Sequence, residues 1–227
     1  MTIKHWKVPR MWAGETVVIA ASGGSLTAEM LSSCRGKARV VVINDGYLLA
    51  PWADIHYFCD HKWFEWHRQF NHPAQQLFGK ARATSLFWGF QGLRVALENS
   101  AAALEYDPSI RLLRNDSRPA NHEDGHQHNE GLCLIPNGVR TGGNSGHQAI
   151  NLAFHTGARK ILLIGFDHHG THWFGDHPTP STPDFKGISQ RFESLNAALK
   201  KQGISVINCT PGTKLNVFER GELAACL

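Results

Sequence analysis

Four short runs of β-branched and aliphatic residues, each stopped by a polar or glycine cluster, constrain this chain more than any other feature. Thr16-Val-Val-Ile-Ala-Ala21 stops at Ser22-Gly-Gly-Ser25, and Arg39-Val-Val-Val-Ile43 stops at Asn44-Asp45-Gly46. Ile55-His-Tyr-Phe-Cys59 stops at Asp60, and Lys160-Ile-Leu-Leu-Ile164 stops at Gly165-Phe-Asp167. A continuous apolar run of this length suits a strand covered on both faces, the condition of a parallel sheet. Ile204-Ser-Val-Ile-Asn208 supplies a later strand. Helix-compatible segments lie between: Leu26 to Ser33, His147 to His155, and Phe192 to Gln202, which Gly203 terminates. Alternating strands and helices predict an α/β fold, Rossmann-like and doubly wound with a mostly parallel sheet, in which ligands sit beyond the carboxyl ends of the strands.

Residues 117–144 break the pattern, being rich in Asn, His, Gly and Pro with little periodicity, and they read as a small flexible lid inserted into the fold. A length of 227 residues fits a single nucleotide-binding domain carrying that lid. No stretch approaches the roughly 18 apolar residues of a membrane span. Met1 to Trp12 mixes Lys4, His5, Lys7 and Arg10 with isolated apolar residues, unlike a secretory signal, so the expected location is cytoplasmic. Five cysteines are scattered singly, which argues against a disulfide framework or a thiolate zinc site. The net charge of +4 is dispersed rather than gathered into a stripe, so it favours small anionic ligands over nucleic acid.

The chemistry is expected in the loops, where most of the 14 histidines fall. Ser22, Gly23, Gly24 and Ser25 follow a strand and open a helix, so their N–H groups suit a phosphate; a tight turn with Ser25 as N-cap is the alternative. Asn44 and Asp60 end the next two strands, where side chains reach ribose or base; strand-terminating Asx turns are the bland reading. Gly142-Gly-Asn-Ser-Gly146, with Asn144 and Ser145, is a second glycine-rich loop before a helix. Asp167, His168, His169, His172, Asp176 and His177 crowd the segment after the fourth run, suited to acid/base work near neutral pH. Metal binding there, or at His122, His126 and His128, is the rival, but no H-E-x-x-H or H-x-x-x-H signature lies on a helical pattern: His122-Glu-Asp-Gly-His126 and His168 to His172 have the spacing yet fall in polar loop segments, and no metal is expected. Trp63, Phe64 and Trp66 read as a buried helix face or an oligomer contact.

These residues resemble the bacterial sialyltransferases that act on lipooligosaccharide, and the wider set of related domains in phages, motility accessory factors and archaeal pterin diphosphokinases. The resemblance rests on Val17 to Leu26, Ile43-Asn44, Asn144-Ser-Gly146, Ala158 to Asp167 and Ile204 to Pro211. It is stronger still to phage and prophage proteins sharing Ala50-Pro-Trp-Ala-Asp54, Gly143-Asn-Ser-Gly146, His172-Trp-Phe-Gly-Asp-His-Pro178 and Asn208-Cys-Thr-Pro211. The resemblance implies that Ser22 to Ser25 touch phosphate, Asn44 and Asp60 touch ribose and base, Ser145 lines the site, and the nucleotide is CMP. This chain departs from the family in its first loop, where Ser22 and Gly24 replace Asn and Pro. His168, His169 and Trp173 stand in for phosphate-binding tyrosines, and Phe185-Lys-Gly-Ile stands where the family has its catalytic histidine, leaving His177 as the substitute.

The expectation is therefore a metal-independent glycosyltransferase that takes a nucleotide sugar as donor and a hydroxyl of a glycan or modified DNA as acceptor. His177 is the expected base, His169 a donor to the leaving phosphate, and Asp167 a further catalytic group. Two other readings stand beside it. One is diphosphokinase or other phosphoryl transfer, with a divalent cation on Asp167, Asp176 or the His loop; the other is a non-catalytic phage accessory protein with a degenerate nucleotide site. A homo-oligomer is compatible with all three.

Overall fold

The computed structural model describes residues 3–116, 130–176 and 184–227. Its first half runs β1 (Thr16–Ala20), α1 (Ala28–Cys34), β2 (Arg39–Ile43), β3 (Ile55–Phe58), α2 (His61–Gln69), α3 (Pro73–Phe78), α4 (Lys80–Trp88), β4 (Leu93–Leu97) and β5 (Arg111–Asn115). Then follow β6 (Gly138–Val139), α5 (Ser145–Thr156), β7 (Lys160–Ile164), α6 (Phe185–Lys201), β8 (Ser205–Asn208), β9 (Glu219–Arg220) and α7 (Leu223–Cys226). Short 3-10 segments cover Asn44–Leu48 and Glu98–Glu105. The nine strands form one sheet, ordered β6-β5-β4-β3-β2-β1-β7-β8-β9, and all neighbouring pairs are parallel. This is the Rossmann-like α/β sheet that the apolar runs predict.

Side chains alternate across a strand, so an uninterrupted apolar run needs apolar cover on both faces. Val17 and Ile19 of β1 enter one layer with Ile150 and Leu152 of α5 and Phe192 and Leu195 of α6. Val18 and Ala20 enter the other with Leu31 of α1, Phe64 of α2 and Phe87 of α4. Each aliphatic side chain so buried stabilises the fold by about 1.5–3 kcal/mol. The chain builds outward from β1 to β6, then returns through α5 to lay β7 on the free side of β1, in register from Thr16↔Lys160 to Ala20↔Ile164. Strand order reverses there, and in open sheets of this kind the ligand crevice lies beyond the carboxyl ends of such strands, here β1 and β7.

The structure departs from the sequence reading at several points. β4 and β5 are hidden in sequence because Arg94, Arg111 and Arg114 interrupt their apolar residues. Arg94 is accommodated by donating to Asp107 Oδ2 at 2.6 Å and to the Phe87 carbonyl. α6 begins at Phe185, a full turn and more before Phe192, and α1 is capped by Thr27, whose hydroxyl accepts the Met30 N–H at 3.2 Å, rather than by Ser25. Of the expected lid, residues 117–129 lie outside the described residues, and so do His122, His126 and His128. The remainder, 130–144, is built into the fold: Leu132, Cys133 and Val139 are buried, β6 pairs with β5, and the Cys133 N–H donates to Asn151 Oδ1 at 2.8 Å. All five cysteines are free thiols. No helix among the described residues is long and apolar enough to cross a membrane.

Candidate functional site

At the crevice, the loop after β1 is fastened to the end of β7. The Ala21 N–H donates to the Ile164 carbonyl at 3.0 Å and the Gly23 N–H to the Gly165 carbonyl at 2.9 Å. Asp167, buried at the end of β7, accepts the Ser25 N–H on Oδ1 at 3.0 Å and the Ser25 hydroxyl on Oδ2 at 2.9 Å. A Cβ at Gly23 would stand 1.9 Å from Asp167 Oδ2 and 2.5 Å from the Gly165 carbonyl, so only glycine fits. Gly24 is different: it is exposed, and a Cβ there would meet only the Thr171 carbonyl, at 3.3 Å. The first glycine loop therefore spends two of its N–H donors on the protein itself, and a carboxylate already fills the place beside Ser25 where an anion was expected.

The segment after Asp167 folds back over this loop. The Trp173 N–H donates to the Ser22 carbonyl at 3.1 Å, and His172 Nδ1 donates to the same oxygen at 3.2 Å while its ring stacks on Phe174 at 4.9 Å. His168 has φ +54, a left-handed backbone uncommon outside glycine. Its ring turns toward α6, packing against Phe185 and Phe192, with Nδ1 3.1 Å from Ser189 Oγ. Burial pushes the His168 pKa down to about 4, so its imidazole is neutral at physiological pH. His169 is exposed, and its Nε2 donates to the Gly212 carbonyl at 3.2 Å. His177 lies outside the described residues.

On the far side of the crevice Asn144 caps α5, its Oδ1 accepting the Gly146 N–H at 2.8 Å. Ser145 Oγ lies 3.2 Å from the Cys59 thiol at the end of β3, which joins this helix terminus to Asp60. Burial pushes that thiol up to about 12, so it is no nucleophile at neutral pH. Gly142 and Gly143 are both left-handed, and the Gly142 carbonyl accepts from Arg191 Nε at 2.7 Å. Arg191 and Ser189 went unread in the sequence because they belong to the unread first turns of α6. Asp60 is exposed at the head of α2 and makes no capping hydrogen bond. Asn44 ends β2 with φ +47, and its backbone carbonyl accepts from His56 Nε2 at 2.8 Å.

Three of these residues keep polar atoms that are buried yet without a hydrogen-bond partner: Ser22 Oγ, Asn44 Oδ1 and Trp173 Nε1. Orphaned polar atoms cost about 1–3 kcal/mol each, and native proteins keep few of them without a use. Ser22 and Asn44 follow the adjoining strands β1 and β2, and Trp173 lies in the segment that folds back over Ser22.

In overall structure the chain is similar to the sialyltransferase CstII from Campylobacter jejuni in complex with a substrate analogue, cytidine-5'-monophosphate. The TM-score is 0.56 at 15% sequence identity, covering 93% of this chain and 87% of that one. The likeness is one of fold. No family model matches the chain, and no curated protein does.

Proposed function

We propose that this protein is a glycosyltransferase of the sialyltransferase type, using a CMP-linked sugar as donor and a hydroxyl of a glycan or modified DNA as acceptor. The observation that carries the reading is the set of orphaned polar atoms on Ser22, Asn44 and Trp173 at the switch point of this fold. Asn44 and Asp60 would hold ribose and base. Because Asp167 occupies Ser25, the phosphate is placed at the α5 terminus, on Asn144, Ser145 and the Gly142-Gly143 backbone, with Ser22 Oγ and Trp173 Nε1 as further donors. Asp167 acts as a positioning residue that holds the Ser22 to Ser25 loop in shape. His169 would donate to the departing phosphate and His177 would deprotonate the acceptor, so the chemistry needs no metal. Phosphoryl transfer through a cation on Asp167 is disfavoured, since that carboxylate would first have to release Ser25. The same reading places the protein in the cytoplasm, with a phage or prophage origin.

Thermal unfolding against nucleotides and nucleotide sugars tests it. A ligand held at 100 times its dissociation constant adds about 2.7 kcal/mol, a rise of about 5–11 °C for a chain of this size. CMP is expected to give that rise, and a CMP-sugar to be turned over with EDTA present. If no nucleotide at millimolar concentration moves the transition, the reading fails. A shift without turnover would mark a binding protein.

A further inference from the structure

Behind Asn44, away from the crevice, the described residues contain a second cluster of chemistry-bearing side chains. Asp45 lies in the first turn of the 3-10 segment after β2, His67 in the last turn of α2, and His72 caps the head of α3; all three are at most 2% exposed. Phe70, a non-glycine residue at φ +58, turns the chain between the two helices and brings both histidines to the one carboxylate. His67 Nε2 lies 2.8 Å and His72 Nδ1 3.0 Å from Asp45 Oδ1, and the three ligand atoms all fall within 4.8 Å of one another. We propose that Asp45, His67 and His72 form a closed structural site for a divalent transition cation of the zinc type.

Two imidazole nitrogens and a carboxylate oxygen are the donor set zinc takes, and full burial is the habit of structural rather than catalytic sites. Three further features agree. His67 Nδ1 is 2.8 Å from Tyr47 Oη, an outer partner that fixes the ring with Nε2 turned to Asp45. His72 Nδ1 stands 3.0 Å from Asp45 Oδ1 and 3.4 Å from the Ala74 amide nitrogen, so the head of α3 turns this ring nitrogen to the carboxylate. Lastly, Asp45 is fully buried, and a carboxylate taken out of water is costly unless its charge is met. Arg94, whose field reaches Tyr47 and His56, is already committed to Asp107 at 2.6 Å. Gln75 offers a fourth ligand: its Nε2 donates to the His67 carbonyl at 3.0 Å, leaving a buried Oε1 without a partner.

A cation here would lock the α2–α3 hairpin onto the end of β2, directly beside Asn44. Phe174, edge-on to His72 at 5.0 Å, carries the contact to the loop over the crevice. The proposal does not depend on the glycosyltransferase reading, because it is tested without turnover.

The experiment uses untagged full-length chain produced with zinc in the medium, stripped of surface metal by a short EDTA wash and desalted. Elemental analysis is expected to find about one zinc per chain, lost in Asp45→Asn. Prolonged chelation should lower the unfolding temperature, and added zinc should restore it. Cobalt-loaded protein should show the visible absorption of a four-coordinate ion, and His72→Cys should add a cobalt–thiolate charge-transfer band. That band decides the matter if Asp45→Asn does not fold. A wild type that is folded, metal-free after the wash and unmoved by added zinc overturns the proposal and leaves a hydrogen-bonded Asp–His–His trio. Metal retained undiminished in Asp45→Asn, or a cobalt-loaded His72→Cys without the band, overturns it as well, assigning the metal to surface histidines.

Discussion

Gly23 and Gly24 are neighbours with opposite tasks. Gly23→Ala puts a methyl into Asp167 and the Gly165 carbonyl, and overpacking against fixed backbone should cost about 1–3 kcal/mol in denaturant unfolding. Gly24→Ala has room, should leave stability within about 1 kcal/mol, and reports on ligand approach alone. Sequence reading identified the loop and its glycines but attributed Gly23 to a phosphate. The actual cause, Asp167, lies 142 residues on, a distance that no local pattern spans. The two histidines proposed to be catalytic admit a similar separation of effects. His177→Asn should lower kcat by about 10²–10⁴ with nucleotide affinity kept, whereas His169→Ala should weaken both turnover and binding. Full turnover in His177→Asn would remove that residue from the base role.

Among the elements, those buried on both faces were legible: β1, β2, β3 and β7 read directly as apolar runs, and β8 was read from its Val206 and Ile207. β4 and β5 did not, because an edge-ward strand admits arginines, and the two-residue β6 and β9 are too short for any periodicity. The aromatic segment was legible too, with Trp63 and Phe64 buried in α2. At the head of α5, Asn144 serves both the helix and the proposed phosphate. Asn144→Ala removes the cap and should cost about 1 kcal/mol, lowering the unfolding temperature by about 2–4 °C. Asn144→Ser keeps a cap and should preserve stability. If nucleotide affinity follows the cap, falling in Asn144→Ala and surviving in Asn144→Ser, the α5 terminus is the anion site; unchanged affinity in both would move the phosphate elsewhere.

For the molecule as a whole, the buried histidines set the acid limit of stability. Burial pushes His56 down to about 3 and His147 to about 4, and His168, part exposed, also to about 4. All three are neutral when folded and gain a proton near pH 6.5 when unfolded, so protons favour the unfolded chain below that pH. Stability should be flat above about pH 7 and fall as pH drops from about 6.5 towards 4, each fully buried histidine steepening the loss by up to about 1.4 kcal/mol per pH unit. Urea unfolding at stepped pH measures this. A stability independent of pH between 7 and 5 would show that these imidazoles are not buried as described.

The pairing of β1 with β7 also governs how the protein comes into being. A ribosome delivers β1 long before Lys160, so through most of synthesis one edge of β1, Thr-Val-Val-Ile-Ala, has no hydrogen-bonded neighbour. Such an edge invites pairing with another nascent chain, and the long loop closure needed to cover it makes for slow folding. The Ser22 loop takes its shape from Gly165 and Asp167, so the crevice is among the last parts to form. A chain released before β7 emerges would carry most of its sheet, a sticky seam, and an unshaped Ser22 loop.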